Sequence, residues 1–173
     1  MDESAPSGRG FLAEVCVAWE GEALRAEARG VRPVVVRTGI VMAPEGGVLP
    51  QLARVTRLGL MGPLAGGHQW VSWVHIDDHV ALLLLALDRE DLAGPVNSTA
   101  PRPVRQRELA RTLGRVLGRP SLLPAPGPVV RIALGEMADL VLDSHRVVPA
   151  AALAAGHRFR FEALEPALAD ALT

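Results

Sequence analysis

The sequence predicts an α/β fold with a parallel sheet, and three observations support this prediction. Residues 33–42 (PVVVRTGIVM) form a β-branched and almost continuously apolar run, which is typical of a strand covered on both faces. An amphipathic helical pattern over 11–28 precedes that run, and Gly30 is a suitable stop between them, so together they make half of a βαβ unit. The composition, 49% hydrophobic and 21% charged over 173 residues, indicates a globular chain with one real core.

Helices, strands and turns alternate along the rest of the chain. The apolar spacing predicts helices over 48–58, 78–90, 104–118 and about 129–143. Strands are predicted over 69–76 and 94–100, with a glycine-rich loop over 59–67. Residues 158–172 predict a short strand followed by a helix. The helix over 78–90 contains the uniformly apolar run 80–87, which we expect to be buried or at an interface.

The composition excludes several classes of function. A net charge of −1 gives no reason to expect nucleic acid or an anionic membrane as a partner, and no apolar run is long enough to span a bilayer. All eighteen basic residues are arginine and there is no tyrosine, which excludes a Tyr/Lys pair, a Schiff-base lysine and a P-loop lysine within the chain. Cys16 is the single cysteine, and the first ten residues lack the features of a signal peptide, so we expect a reducing, cytoplasmic location.

The stretch 70–79 carries His75, Asp77, Asp78 and His79 where a predicted strand becomes a helix. A metal site needs further ligands at a recognisable spacing, and none stands in the sequence, so we predict no metal site. Capping of the helix by Asp77 or Asp78 is favoured instead. His75 ends the strand, and ligand sites of α/β folds collect at strand ends, so it remains a functional candidate.

Two further patterns are weak. The motif 8–13 (GRGFLA) matches G-x-G-x-x-A, but no buried strand precedes it, which favours a plain helix start over a dinucleotide-binding loop. The segment 102–119 is rich in arginine and could bind an anion or a partner, although a solvated helix face is favoured. Its arginines are Arg102, Arg105, Arg107, Arg111, Arg115 and Arg119.

Five segments, taken in order, resemble one family. They are 11–20 (FLAEVCVAWE), 36–49 (VRTGIVMAPEGGVL), 69–84 (QWVSWVHIDDHVALLL), 95–104 (PVNSTAPRPV) and 134–153 (LGEMADLVLDSHRVVPAAAL). Together they resemble an atypical branch of the extended short-chain dehydrogenase/reductase superfamily, the NAD-dependent epimerase/dehydratase-like or nucleoside-diphosphate-sugar epimerase-like proteins. Members of this branch carry a small C-terminal domain of unknown function.

The resemblance implies the C-terminal part of a Rossmann-type parallel sheet, plus a small, mostly helical, substrate-side subdomain. The boundary falls at the proline-rich change of composition, which gives one unit over 1–118 and a second over 119–173. NAD or NADP is the implied cofactor. The family's first strands, glycine-rich loop and acidic ribose-binding residue have no counterpart in the sequence, so tight cofactor binding by this chain alone is not expected. Leu12 and Cys16 stand at the positions of the superfamily's Tyr/Lys pair, and neither replaces it.

The resemblance also implies site residues. Thr38 and Gly39, just past the strand segment 33–37, match positions that approach the nicotinamide end of the cofactor. The strand over 69–76 would line the substrate side, through Gln69, Trp70, Trp73 and His75; the two tryptophans would form the wall of the cleft or pack behind it. Val71 stands where sugar-nucleotide epimerases place a phosphate-gripping arginine, which does not support a nucleotide-sugar substrate. No catalytic residue is assigned.

Three hypotheses follow. In the first, the chain is the substrate-side portion of an atypical NAD(P)-dependent oxidoreductase or epimerase that acts on an unidentified small molecule and is not catalytically complete alone. In the second, the chain is a non-enzymatic binding or self-association module. The reason is that the strand over 33–42 would lack parallel neighbours and leave an apolar edge exposed. The partner of the chain would be a second copy or a separate N-terminal half. The third is a decayed fragment with no independent role.

Overall fold

Six short strands pair two by two in the computed structural model, which describes residues 1–135, 138 and 142–173. The parallel pairs are β1 (Val34–Thr38) with β5 (Gly94–Ser98) and β2 (Ile40–Met42) with β4 (Trp73–His75). β3 (Trp70–Val71) runs antiparallel to β6 (Val104–Arg105). Parallel pairing, as predicted, is therefore confirmed. The predicted strand over 69–76 is two strands, β3 and β4, interrupted at Ser72.

Seven α-helices lie within the described residues. They are α1 (Phe11–Leu24), α2 (Leu49–Arg57), α3 (Ile76–Asp88), α4 (Gln106–Val116), α5 (Gly127–Leu134), α6 (Ala150–Ala154) and α7 (Leu164–Leu172). The helix predicted over about 129–143 begins as α5, whereas residues 136–137 and 139–141 lie outside the described part of the chain. The short strand predicted at the start of 158–172 is wrong, because those residues have no strand partner.

The main core lies between α2, α4, α7 and the ends of β2 and β4. Trp73, Leu113 and Leu168 are fully or almost fully buried in it, and α4 packs directly against α7. A smaller cluster joins α3, β5 and α6 through Leu82 and Val96. Burial of such apolar side chains contributes about 1.5–3 kcal/mol each, so these two clusters hold the C-terminal helices to the strands.

Three apolar surfaces are less covered than their patterns indicate. α1 ends through a 3-10 turn (Arg25–Arg29) with Gly30 in a left-handed conformation, as predicted, but Trp19 remains 73% exposed on its face. β1 is only partly buried, so the expectation of a strand covered on both faces is wrong for the described residues. α3 buries Leu82 and Ala86 yet leaves Leu87 73% exposed, so most of the run 80–87 is not buried within the chain, and its place at an interface stays a prediction. Among the described residues, no helix has both the length and the apolar character needed to cross a bilayer.

Candidate functional site

A cavity of about 610 Å³ opens at the carboxyl ends of β1 and β5. One wall is α1, another is the N-terminal segment 1–8, and the floor consists of strand ends. Its polar and reactive lining groups include Cys16, Glu20, Arg37, Thr38, Ser72, Asn97 and Thr99. Carboxyl ends of parallel strands are the usual place for ligands in open α/β sheets. The position of this cavity therefore matches that rule.

Thr38 and Gly39 both line this cavity. Gly39 lies at a close crossing of chains: an added Cβ would lie 2.8 Å from the Ser72 carbonyl oxygen and 2.8 Å from the Thr99 methyl carbon. The Gly39 amide donates to the Ser98 carbonyl at 3.0 Å, and the next amide donates to the Ser72 carbonyl at 2.9 Å. A side chain is thus disfavoured where the chain passes from β1, which pairs with β5, into β2, which pairs with β4.

Thr99 is the site residue that the sequence reasoning missed. It is 2% exposed, lines the cavity, and its hydroxyl oxygen has no hydrogen-bond partner among the described residues. Leaving a buried hydroxyl unpaired is unfavourable, so such a group is suited to bind a ligand atom. By contrast, the Ser72 hydroxyl donates to the His145 carbonyl at 2.8 Å and accepts from the Val147 amide at 2.9 Å. The only signal for Thr99 in the sequence is its place near the end of the strand predicted over 94–100.

An ion pair fixes α1 against β1 at the cavity wall. Arg37 donates to both carboxylate oxygens of Glu20, at 2.8 and 2.7 Å. The hydrogen bond from Arg37 lowers the pKa of the Glu20 carboxyl, and the same contact raises the pKa of Arg37. Both groups therefore stay charged near neutral pH, and neither acts as a proton donor or acceptor there. The pair positions α1 so that Cys16 faces the cavity.

The N-terminal segment is tied down across the cavity. The Glu3 carboxylate accepts from the Asn97 amide at 2.9 Å and from the Ala151 amide at 3.2 Å, which joins β5 to the start of α6. The amino group of Met1 donates to the Arg146 carbonyl at 2.6 Å. These bonds hold residues 1–8 as a cover over one side of the cavity.

The cluster at 75–79 is organised differently from the prediction. His75, not Asp77 or Asp78, caps α3: its Nδ1 accepts from the Asp77 amide at 3.2 Å. The predicted aspartate cap is therefore wrong. Asp78 is 3% exposed and accepts instead from the backbone amides of Arg160 and Phe161, at 2.7 and 2.9 Å. Those amides cannot pair in a strand, which explains why the predicted strand near 158–161 is absent.

His75 is enclosed rather than presented to a cleft. It is 1% exposed, and its ring packs on Phe161 with centroids 4.0 Å apart. Nδ1 accepts the cap hydrogen bond, and Nε2 lies 3.4 Å from an Asp170 carboxylate oxygen. Asp77 and Asp170 are near enough to His75 to suggest a cation site, but Arg160 contacts both carboxylates, at 2.5 and 3.5 Å. These residues do not fit a metal ion.

The other predicted substrate residues lie outside the cavity. Gln69 is buried, and its side chain donates to the Leu64 carbonyl at 3.1 Å. Trp70 is partly exposed and has the Arg105 guanidinium over its ring at 3.7 Å. Trp73 is fully buried in the core, and its indole N–H donates to the Arg102 carbonyl at 3.1 Å. The structure thus brings Thr38 and Gly39 together, while these three residues and His75 lie on neighbouring elements.

Comparison with known proteins identifies the family. The profile of the NAD dependent epimerase/dehydratase family matches residues 11–97. The chain belongs to this family. A domain of unknown function, DUF1731, matches residues 125–171. The recognition of the epimerase/dehydratase family with its C-terminal domain of unknown function is therefore confirmed.

Relatives of this chain include the chloroplastic SDR39U1 homolog of Arabidopsis thaliana, an epimerase family protein, which is 42% identical over 97% of this chain and 48% of its own length. An epimerase family protein of Mycobacterium leprae is 40% identical over the whole chain and 57% of its own length. The chain thus spans about half the length of the curated relatives it matches.

Solved structures show an α/β, Rossmann-like fold. Human epimerase family protein SDR39U1, isoform 2, crystallised with NADPH, superposes with a TM-score of 0.90 at 34% identity, covering 99% of this chain and 59% of that one. The nucleoside-diphosphate sugar epimerase of Corynebacterium glutamicum superposes with a TM-score of 0.80 at 31% identity, and the match covers 99% of this chain and 33% of that one. Members of the family therefore bind NAD(P), as the NADPH in the human structure illustrates.

Proposed function

We propose that this chain forms the substrate-side, C-terminal portion of an atypical NAD(P)-dependent oxidoreductase or epimerase that is not catalytically complete alone. The observation that carries the proposal is the cavity at the carboxyl ends of β1 and β5, with its glycine floor at Gly39 and the unpaired hydroxyl of Thr99. In this proposal residues 1–118 belong to the cofactor-binding domain, and residues 119–173 form the small C-terminal domain.

The cavity residues fit the nicotinamide end of NAD or NADP. Thr38 and Gly39 line the cavity at the end of β1, and Thr99 offers a hydrogen bond to an amide group. Thr38, Gly39 and Thr99 would hold that end, and the cofactor would supply hydride transfer when bound. No G-x-G-x-x-G pattern stands between a strand and a helix in the described residues, so the proposal assigns no site to the pyrophosphate here.

The substrate side lies along β3 and β4. Trp70 is partly exposed and supplies the direct contact, while Gln69, Trp73 and His75 are buried and support it from behind. Of the two alternatives for the tryptophans, the wall of a cleft suits Trp70 and packing suits Trp73. The substrate is a small molecule of a class that these contacts leave open.

Cofactor titration tests the proposal. Calorimetry should give a Kd for NADPH well above 1 µM, which corresponds to a binding free energy weaker than about −8 kcal/mol. The binding is weak because the chain holds only the nicotinamide end. Thr99→Val should weaken that binding further, whereas Thr99→Ser, which keeps the hydroxyl, should not. Sub-micromolar binding by this chain, or equal binding by both variants, would contradict the proposal.

A second function is favoured by the uncovered apolar faces. Phe11 and Trp19 on α1 are 77% and 73% exposed, and Leu87 on α3 is 73% exposed. Such faces favour association, so the alternative is a non-enzymatic module that binds a second copy or a polypeptide carrying the rest of the domain. A stable, monodisperse monomer in light scattering would argue against it. A cytoplasmic location stays a prediction, and the Arabidopsis relative is a chloroplastic protein.

A further inference from the structure

We propose that the groove along α4 binds a small polyphosphate, a function separate from that of the cavity beside α1. The groove has a volume of about 800 Å³ and shares no lining residue with that cavity. Its charged lining comprises Arg105, Arg107, Arg111, Arg115 and Arg119 against a single acidic residue, Glu108. The chain as a whole has a net charge of −1, so this concentration of positive charge is local.

The helix arranges its arginines on one ridge. Arg107, Arg111 and Arg115 are four residues apart, so their stems lie about 6 Å apart along α4 at a rise of about 1.5 Å per residue. Like charges at this spacing repel each other and destabilise a helix unless something neutralises them. Phosphate oxygens can do so, because a guanidinium donates two parallel hydrogen bonds to one phosphate.

Little of this charge is neutralised by the protein. Arg115 pairs with Glu165 at 3.1 Å. Arg107, Arg111 and Arg119 have no carboxylate within ion-pair distance in the residues that the structure describes. Three guanidinium groups are therefore available to a ligand from two sides of the groove.

The opposite wall of the groove is fixed to the helix. The Arg119 amide donates to the Gly114 carbonyl at 2.8 Å. A Cβ at Gly114 would lie 2.7 Å from the Arg119 carbonyl oxygen and 2.9 Å from the Ser121 hydroxyl, so glycine allows this close approach. Arg119 is thus held beside the helical ridge in the protein as folded. Because the groove is already formed, little conformational entropy is lost when it binds a ligand.

The lining favours a small polyphosphate over nucleic acid. No aromatic residue lines the groove, so bases would have no stacking platform. The ridge from Arg107 to Arg115 extends about 12 Å, which suits two or three linked phosphates rather than one. The neutral hydroxyl of Ser121 adds a donor for a further oxygen atom.

Calorimetric titration with inorganic tripolyphosphate tests this proposal on the full chain, at about 0.15 M ionic strength so that distant charges are screened. We expect one saturable site, and at least a tenfold loss of affinity in the double variant Arg107→Gln/Arg111→Gln, about 1.4 kcal/mol. The matched control is Arg57→Gln/Arg158→Gln, which removes the same charge from exposed residues elsewhere and should bind within about twofold of the wild type.

Three outcomes would overturn the proposal. They are absence of saturable binding by the wild type, an equal loss in the control variant, and tighter binding of a single-stranded oligonucleotide or an acidic peptide than of tripolyphosphate. Gly114→Ala supplies a second measurement, because it displaces the wall while keeping every charge. We expect weaker tripolyphosphate binding by folded Gly114→Ala protein, and unchanged affinity would count against the groove.

Discussion

The carboxylate of Asp78 is the link between α3 and the C-terminal segment, and removing it gives the sharpest test of the fold. The side chain is buried and accepts two backbone hydrogen bonds, from Arg160 at 2.7 Å and Phe161 at 2.9 Å. In Asp78→Ala both amides lose their acceptor, and the segment that covers His75 loses its anchor.

The magnitude follows from the burial of these groups. Each buried amide left unpaired costs about 1–3 kcal/mol, and hydrogen bonds to a charged acceptor lie in the upper part of that range. Asp78→Ala should therefore lower the free energy of unfolding by roughly 3–5 kcal/mol. Asp77 is the matched control, because it is half exposed and pairs with the exposed Arg160 side chain. Asp77→Ala should cost at most about 1 kcal/mol.

Urea unfolding measures both variants, with the midpoint compared at constant slope. A loss of less than about 1 kcal/mol in Asp78→Ala, or a loss equal to that of Asp77→Ala, would refute the reasoning. Limited proteolysis should cut within residues 155–163 of Asp78→Ala sooner than in the control variant. Equal cutting of the two proteins would show that the segment is held by other contacts.

Three further predictions concern the cavity side of the molecule. Gly39→Ala places a Cβ 2.8 Å from a carbonyl oxygen and should lower the free energy of unfolding, measured by thermal melts, by about 1–3 kcal/mol. The control Gly21→Ala, at a helix position with open space around it, should raise the free energy of unfolding by about 0.5–1 kcal/mol. Because Arg37 lowers the pKa of Glu20 below its ordinary value of 4.5, the pair stabilises the fold above that pH and loses its contribution as the pH falls through the lowered value. Glu20→Gln should remove this part of the acid dependence in urea titrations at several pH values; an unchanged profile would contradict it. Trp19→Ser should reduce the mass measured by light scattering if α1 mediates association, and an unchanged mass would point to another face.

Local patterns sufficed for the elements whose partners are near in sequence. The helix stop at Gly30 and the apolar run of β1 follow from short-range rules, whereas Thr38 and Gly39 are assigned by the family resemblance. In a continuous strand, alternation would put Trp70 and Trp73 on opposite faces, but it would not say which face the core covers. In the structure the strand is interrupted at Ser72, and the core covers Trp73. At that interruption the Ser72 hydroxyl bonds the backbone of His145 and Val147, contacts that no local pattern reveals.

The cap of α3 shows the same limit in another form. Asp77 and Asp78 have the residue type that caps prefer, and a local rule selects them. The structure uses Asp78 for backbone amides 82 and 83 positions away, which leaves His75 to cap the helix. The identity of a cap can therefore depend on a distant segment that competes for the same carboxylate.

The contact between Asp78 and Phe161 has a kinetic consequence. It closes a loop of 83 positions, and closing a loop of that length costs chain entropy before the contact stabilises anything. We expect it to form after the folding barrier, with a φ-value near zero, so that Asp78→Ala speeds unfolding and leaves the folding rate almost unchanged. The segment at Arg160 and Phe161 would then be among the last parts to dock as the chain folds and the first to leave as it opens.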